Sequence, residues 1–538
     1  MKKVLCLVFV LVFTVSSMSI AAELKELSVF IADSLPDYPS EGTILGDKIR
    51  KETGTKLDRE YLVGDLETKV GLMIASGDYP DMLVAAHFTD KFVDAGALIP
   101  LNDLIEEHAP NIEKYYARHM DSLKKEDGNI YYLPQQAIPY GPGSRRYPAV
   151  GFFINKRVLK DAGYPVVKTF DQYFDLIEDY MEKNPTYKDE DNIGYLALYD
   201  SWRNFATNNG PMHLMGYPNE GGFIPHKENG KFVVKPYNGG EVERYYYSKL
   251  NKMYNKGVVH PETFLMNYDQ YLEKLSSGRV LGTHNQYWQI QQAQDILISE
   301  DPDSIMIPFP VVHDESVEEF MRDTPYIQTT QGMGITTACE DPVAAIKYLD
   351  YLVGHQMLIN WGIEGEHYEV DEKGMYYRTE DQQELFRDRD WVQNVFGRQY
   401  FLNAFPSLIG VDEVGNNYYP DRQLSMIYDA ATDSEKEVMD AYGIKSFTEL
   451  YNDPRPITEV PYYPLWTITL DTGSPAQVES TRLTDTISEY VPKMVMSDTE
   501  EFDSIWKEYK DDISGLMDKQ IKVYQERIDW RVENWGIE

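Results

Sequence analysis

Two stretches of the chain bring together residue types suited to ligand chemistry. The run Thr283-His284-Asn285-Gln286-Tyr287-Trp288 puts two carboxamides beside two aromatic rings. Carboxamides both donate and accept hydrogen bonds, and flat aromatic faces stack on the C–H faces of sugars, so the pattern suits a hydroxyl-rich ligand. Tyr287 and Trp288 are candidate stacking residues, with a core position the alternative for Trp288, and Asn285 and Gln286 are candidate hydrogen-bonding residues. Residues 360–369, Asn-Trp-Gly-Ile-Glu-Gly-Glu-His-Tyr-Glu, interleave aromatics, acids and two glycines. Gly362 and Gly365 give access to backbone angles that other residues avoid, which makes Trp361 a candidate for display on a surface. Glu364 is a candidate acceptor for sugar hydroxyls through charge-assisted bonds. Packing of the loop is the alternative for both.

Single residues add to this set. His87 follows an apolar stretch, 82–86, at the carboxyl end of an expected strand, where open α/β sheets bind ligands. Tyr140 and the pair Arg145-Arg146 lie in the Gly- and Pro-rich stretch 139–147. Arg146 reads either as part of an anion clamp or, more simply, as a surface partner of nearby acids. Trp202 and Trp466 are further aromatic candidates. Asp189, Asp191 and Asp200 fall at the first, third and twelfth places of a calcium loop with Gly194 at the sixth, so calcium is a candidate ion. Ile193 at the fifth place offers no side-chain oxygen, and Asp200 is shorter than the usual bidentate Glu, which leaves a solvated acidic turn as the alternative.

No enzyme motif accompanies these residues. The sequence has no His-Glu-x-x-His, no phosphate-cradling glycine loop, no Gly-x-Ser-x-Gly and no cysteine pair for zinc. Among 88 acidic residues a carboxylate pair for glycoside hydrolysis has no separation that sequence can supply. No catalytic residue and no resident organic cofactor is expected.

The elements that must position these residues alternate in type. Apolar spacing predicts a strand over 27–32, helices over 43–53 and 65–76, and a strand over 82–85, the pattern of α/β layers with parallel strands. Helical spacing returns over 341–357 and again from Phe502 to Met517, while the region 452–464 is proline-rich and expected to be irregular.

At 538 residues the chain exceeds one ordinary core, so two or more domains are expected. Lys2 and Lys3, an apolar run over 4–15 and small residues up to Ala22 have the layout of a secretory signal peptide over 1–22. Cys6 stands inside the apolar run rather than at a cleavage point, so no lipid anchor is expected and a periplasmic location is favoured. Only Cys339 then remains, which excludes an internal disulfide. The net charge of −37 argues against nucleic acid and against an anionic membrane as partner. It favours a neutral glycan over a uronate, and the 41 tyrosines and 8 tryptophans supply faces for one.

Gly-Ile-Glu-Gly at 362–365, followed by Tyr368-Glu369, resembles a motif of the extracellular solute-binding proteins of ABC importers, in the branch of alginate-oligosaccharide binders and related sugar-binding lipoproteins. Ser-Gly-Asp-x-Pro-Asp at 76–81, the apolar strand after it and Gly-Ala-Leu-Ile-Pro-Leu at 96–101 are similar to the first lobe of that family. The segments 127–134, 151–159 and 161–171 resemble its later blocks. The resemblance implies a two-lobed periplasmic binding protein fold with several crossings between lobes, placed at 139–147, at 324–334 and near 365–370. It implies lobe 1 over 23–145 and 325–370, lobe 2 over 146–324, and a mainly lobe 2, partly helical region over 371–538. It further implies a monomer that captures an oligosaccharide between its lobes and delivers it to ABC permease subunits. A peptide or other small-solute binder, or a secreted glycan-active enzyme, is the alternative.

Overall fold

The computed structural model describes residues 24–33, 37–218, 223–323, 327, 329, 331–402, 404–455, 465, 468, 470 and 473–535. The expected leader and Trp466 lie outside the described residues.

The strands that carry the two lobes are, in chain order, β1 (Lys25–Ile31), β2 (Thr55–Tyr61), β3 (Met82–Val84), β4 (Tyr132–Pro134), β5 (Val150–Asn155), β6 (Ile193–Tyr195), β7 (Val280–Gln286), β8 (Met306–Phe309) and β9 (Gly332–Ile335). One sheet has the order β2-β1-β3-β9-β4 and the other β8-β5-β7-β6. In the first, β1 pairs parallel with β2 and β3, while β9 runs antiparallel to β3 and β4. In the second, β7 is parallel to β6 but antiparallel to β5. Both sheets are therefore mixed rather than parallel. In the first sheet the opposed strand is β9, which enters on the chain's return from the other lobe.

Alternation along β1 places Leu27, Val29 and Ile31 in one core and Phe30 in another, so the first sheet is covered on both faces. The helices over it have ordinary ends. Thr43 accepts from Gly46 N before α1 (Ile44–Thr53), and Asp65 accepts from Thr68 N before α2 (Leu66–Ser76), which ends on left-handed Gly77. In the second lobe β5 and β7 are buried along their whole length. They pack under α3 (Phe170–Lys183), which starts on a capping box of Thr169 and Gln172, and alongside α4 (Glu241–Asn255) and α5 (Tyr268–Ser276). Beyond β7 comes α6 (Tyr287–Glu300). In the first lobe α7 (Pro342–Gly354) begins with Asp341 accepting from Ala344 N and leads to the short α8 (Gln356–Trp361). The chain closes with α9 (Pro475–Met496) and α10 (Phe502–Asn534), packed on each other.

The region from 371 onward divides between the lobes. Phe396, Tyr400, Phe401, Phe405, Leu408 and Tyr418 belong to the first lobe's core, and residues 407–408 pair with 136–137. From Tyr428 and Ala431 on, the side chains join the second lobe's core. The third passage between lobes thus runs over residues 420–427, not near 365–370. The glycines there serve a tight turn within the first lobe instead. Gly362 has φ +98°, and a Cβ on it would stand 2.7 Å from His367 Cβ.

Candidate functional site

The site grows from the end of β7. Asn285 is fully buried: its Oδ1 accepts from Gln286 N at 2.8 Å and from Gln289 Nε2 at 3.0 Å. Its amide donates to Tyr271 Oη at 3.0 Å, and that hydroxyl shares a hydrogen bond with Thr283 Oγ1. This network fixes the junction where β7 turns directly into α6. Trp288 therefore leaves the first turn of the helix into solvent, 52 % exposed.

A second segment meets it. Ser201 has φ +52°, a strained value for a residue with a side chain, and it opens a tight turn that carries Trp202, 60 % exposed. The Trp202 and Trp288 rings lie 6.0 Å apart and nearly parallel at 13°, and Phe205 stacks on both. Behind Trp202 the Arg203 guanidinium sits 4.3 Å from its ring and 4.1 Å from that of Tyr268. Cation–π attraction to both rings holds the guanidinium between them and steadies the indole from one side. Asp200 accepts from Tyr268 N at 2.9 Å and anchors the same turn. The result is an aromatic cluster with two indoles more than half exposed, next to the carboxyl end of a central strand.

The remaining sequence candidates fall in different surroundings. Tyr287 is half-buried and stacks at 4.4 Å on Tyr147 of the first passage between lobes. Gln286 is buried and in register with Val150 of β5. His87 is exposed at the end of β3, tilted over Phe88, directly after Ala86 with φ +47°. Arg146 lies 3.7 Å from the buried carboxylate of Glu435, so it pairs with an acid rather than forming an anion clamp. Tyr140 donates to Glu413 Oε1 at 2.6 Å, an oxygen that Lys114 also reaches at 2.9 Å; burial, then this bond, pushes its hydroxyl up to about 12.

Trp361 is not displayed. It is fully buried in the first lobe, with Nε1 donating to Asn417 O at 2.8 Å and Tyr368 and Tyr376 edge-on to its ring. Glu364 is exposed in the turn that closes by Gly365 N donating to Tyr368 O at 2.8 Å. Asn285, Gln286 and Trp361 are thus corrections to the sequence reading, because burial keeps their polar atoms on protein partners.

The calcium loop is also a correction. Thr186–Tyr187 and Glu190–Asp191 form a hairpin with Asp189 in its turn, and the fully buried β6 then separates Asp191 from Asp200. Asp200 is spent on Tyr268. Among the described residues no group of three or more His, Cys, Asp or Glu side chains could hold a metal ion. Asp189, Asp191 and Asp200 do not fit a calcium site.

Sequence reasoning did not reach Phe205 or Tyr268. The signal for Phe205 was its place three residues after Trp202, the spacing at which side chains on one turn become neighbours.

Residues 44–357 match the family of bacterial extracellular solute-binding proteins. The fructooligosaccharide ABC transporter substrate-binding protein FusA of Streptococcus pneumoniae serotype 4 is 26 % identical over 273 residues, 47 % of this chain and 48 % of that protein. The match therefore spans about half the length of that curated relative. A structure of an EF-hand mutant of S. pneumoniae FusA in complex with fructo-nystose superposes with a TM-score of 0.63 at 19 % identity, covering 95 % of this chain and 100 % of that one. The alginate-binding protein AlgQ2 without calcium ion gives 0.59 at 18 % identity, covering 94 % and 98 %. These likenesses establish the two-lobed binding-protein fold.

Proposed function

Because the chain belongs to the bacterial extracellular solute-binding proteins, matched over residues 44–357, we propose that it captures a neutral oligosaccharide between its lobes and delivers it to the permease subunits of an ABC importer. One observation carries the choice of ligand. Trp202 and Trp288 stand stacked yet more than half exposed, and indoles left in water on a rigid sheet end are a platform for sugar rings. The guanidinium of Arg203 beside the platform is engaged with two rings, which favours an uncharged ligand there. The relatives named above, a fructooligosaccharide binder and an alginate binder, support the saccharide class.

His87 is the proposed contact from the first lobe. Ligand holds the lobes together only through contacts with both, so capture couples the platform to the end of β3. The ligand is bound and released intact, the protein acts as a monomer, and its place is outside the cytoplasmic membrane, favouring the periplasm. No helix among the described residues is long and apolar enough to cross a membrane.

Calorimetry of the purified protein against neutral oligosaccharides, uronic acid oligosaccharides and short peptides, with product analysis of each bound sugar, tests this reading. Binding of an intact neutral glycan is expected. Binding of peptides alone, or recovery of a cleaved sugar, overturns it.

A further inference from the structure

A cavity adjoins the platform. It measures about 220 Å³ and lies between the turn carrying Phe205, the segment with Tyr237 and Asn238, and the last two helices with Gln520 and Tyr524. Phe205 belongs to both, lining the cavity and stacking on Trp202 and Trp288. The platform therefore continues into a partly open cavity.

The lining is unusual for a chain of net charge −37: among the described residues none of the side chains around the cavity is charged. Carboxamides take their place. Asn209 Oδ1 accepts from Tyr237 Oη at 3.5 Å, Asn238 Nδ2 donates to Glu243 at 2.9 Å, and Gln520 Nε2 donates to Ala476 O at 3.3 Å. Each amide keeps a second polar atom, Asn209 Nδ2, Asn238 Oδ1 and Gln520 Oε1, that no bond among the described residues occupies. Gln520 is only 4 % exposed, so an apolar occupant would strand its oxygen. An anion would enter without a cation, and a cation without a carboxylate on the wall. A ligand whose groups each donate and accept, and whose body is a C–H surface for Phe205 and Tyr237, satisfies both kinds of wall. At about 30 Å³ per water the volume holds roughly seven waters, the scale of one small ring rather than a chain.

We propose that this cavity is a terminal subsite that takes one uncharged sugar ring at the end of the oligosaccharide whose other rings lie on Trp202 and Trp288. The proposal rests on the platform being the sugar-binding surface. It makes the protein selective for chain length and for a neutral end ring.

The test is calorimetry of the full chain with neutral linear oligosaccharides from disaccharide to hexasaccharide, and with the hexasaccharide oxidised to a uronic acid at either end. Two variants probe the cavity: Asn209→Asp, which keeps the acceptor for Tyr237 while removing a donor and adding charge, and Gln520→Met, of similar shape. Melting temperatures verify that both are folded. Each variant is expected to weaken the longer sugars by tenfold or more and the disaccharide by less than threefold, and acid at one of the two ends is expected to weaken wild-type binding to the same degree. Equal losses at every length, or no loss in either variant while Trp288→Ala still weakens binding, overturns the subsite. Absence of any effect from Trp288→Ala, or no binding of any neutral sugar, removes the platform reading itself.

Discussion

Glu126 of the first lobe and Arg527 of α10 in the second stand 3.6 Å apart, an ion pair that joins the lobes through side chains rather than through the chain. Glu126 follows the helix 120–123 in a turn closed by Lys125 N donating to Asn129 O, whereas α10 starts from a buried Phe502 and Trp506 in the other core. The pair favours the arrangement of lobes in which it forms.

Both partners are solvent-accessible, at 37 % and 80 %, so the pair is worth at most about 1 kcal/mol. Glu126→Gln is expected to lower sugar affinity by less than about fivefold and to raise the radius of gyration of the unliganded protein. The difference should vanish near 1 M salt, where screening acts over about 3 Å. Scattering at low and high salt measures it; an unchanged radius at low salt shows the pair has no hold on the lobes.

Trp202→Ala and Trp288→Ala should each weaken sugar binding by at least tenfold while leaving the melting temperature within a few degrees, because both rings are mostly exposed. The double variant should lose less than the two losses combined, since each ring stacks on the other. Titration calorimetry of the three proteins decides this.

Glu243 gives a pH signature. It is fully buried, accepting from Asn238 and Tyr509 at 2.9 Å and from Gly239 N, and burial pushes its carboxyl up to about 7. The folded protein then holds a proton that the unfolded chain has released between about pH 4.5 and 7. A folded pKa above the unfolded one means this site's stability is full below the lower value and declines as pH rises to the upper one. Over that window the site loses on the order of 3 kcal/mol. Glu243→Gln should lack this decline and gain on wild type from pH 4.5 to 7, as read by urea denaturation at several pH values; parallel curves would exclude a proton on Glu243.

Trp361→Ala should cost about 3–5 kcal/mol by opening a cavity and leaving Asn417 O without its donor. Trp361→Phe, which keeps most of the volume, should bind sugar with wild-type affinity. A selective loss of affinity in the Phe variant would return this residue to the binding surface.

Millimolar calcium and excess chelator should give the same melting temperature, since a site filled a hundredfold above its dissociation constant would add about 2.7 kcal/mol. A rise of several degrees with calcium would place an ion where Asp189, Asp191 and Asp200 do not converge.

Alternation, caps and apolar spacing are local properties, and they placed β1, β3, α2, α7 and the start of α10 within a few residues. Trp202 and Trp288 were each legible as single aromatic candidates, but their stacking on each other across 86 residues of sequence was not. Long-range partners were not legible. Trp361 is buried with Asn417, 56 residues later, as its acceptor, and a glycine pair among aromatics looks the same whether it serves a passage between lobes or a turn within one. Asn285 had the chemistry of a ligand contact, yet Tyr271 and Gln289 claim both ends of its amide. Residues 371–419 gave no periodicity because they pack through a π-helix at Trp391–Phe396 and through Arg378 stacked 3.4 Å over Phe386, neither of which has a repeating spacing.

The length of α10 has a mechanical consequence. With its first turns sealed in the second lobe, Arg527 rides roughly 38 Å along the axis from Phe502, at about 1.5 Å per residue. A rotation of about 10° of the second lobe as a body, about an axis roughly that far from Arg527, would sweep the tip through roughly 7 Å, well beyond the reach of an ion pair. The helix is a lever, and its tip converts a graded change of angle between lobes into contact that is either made or lost.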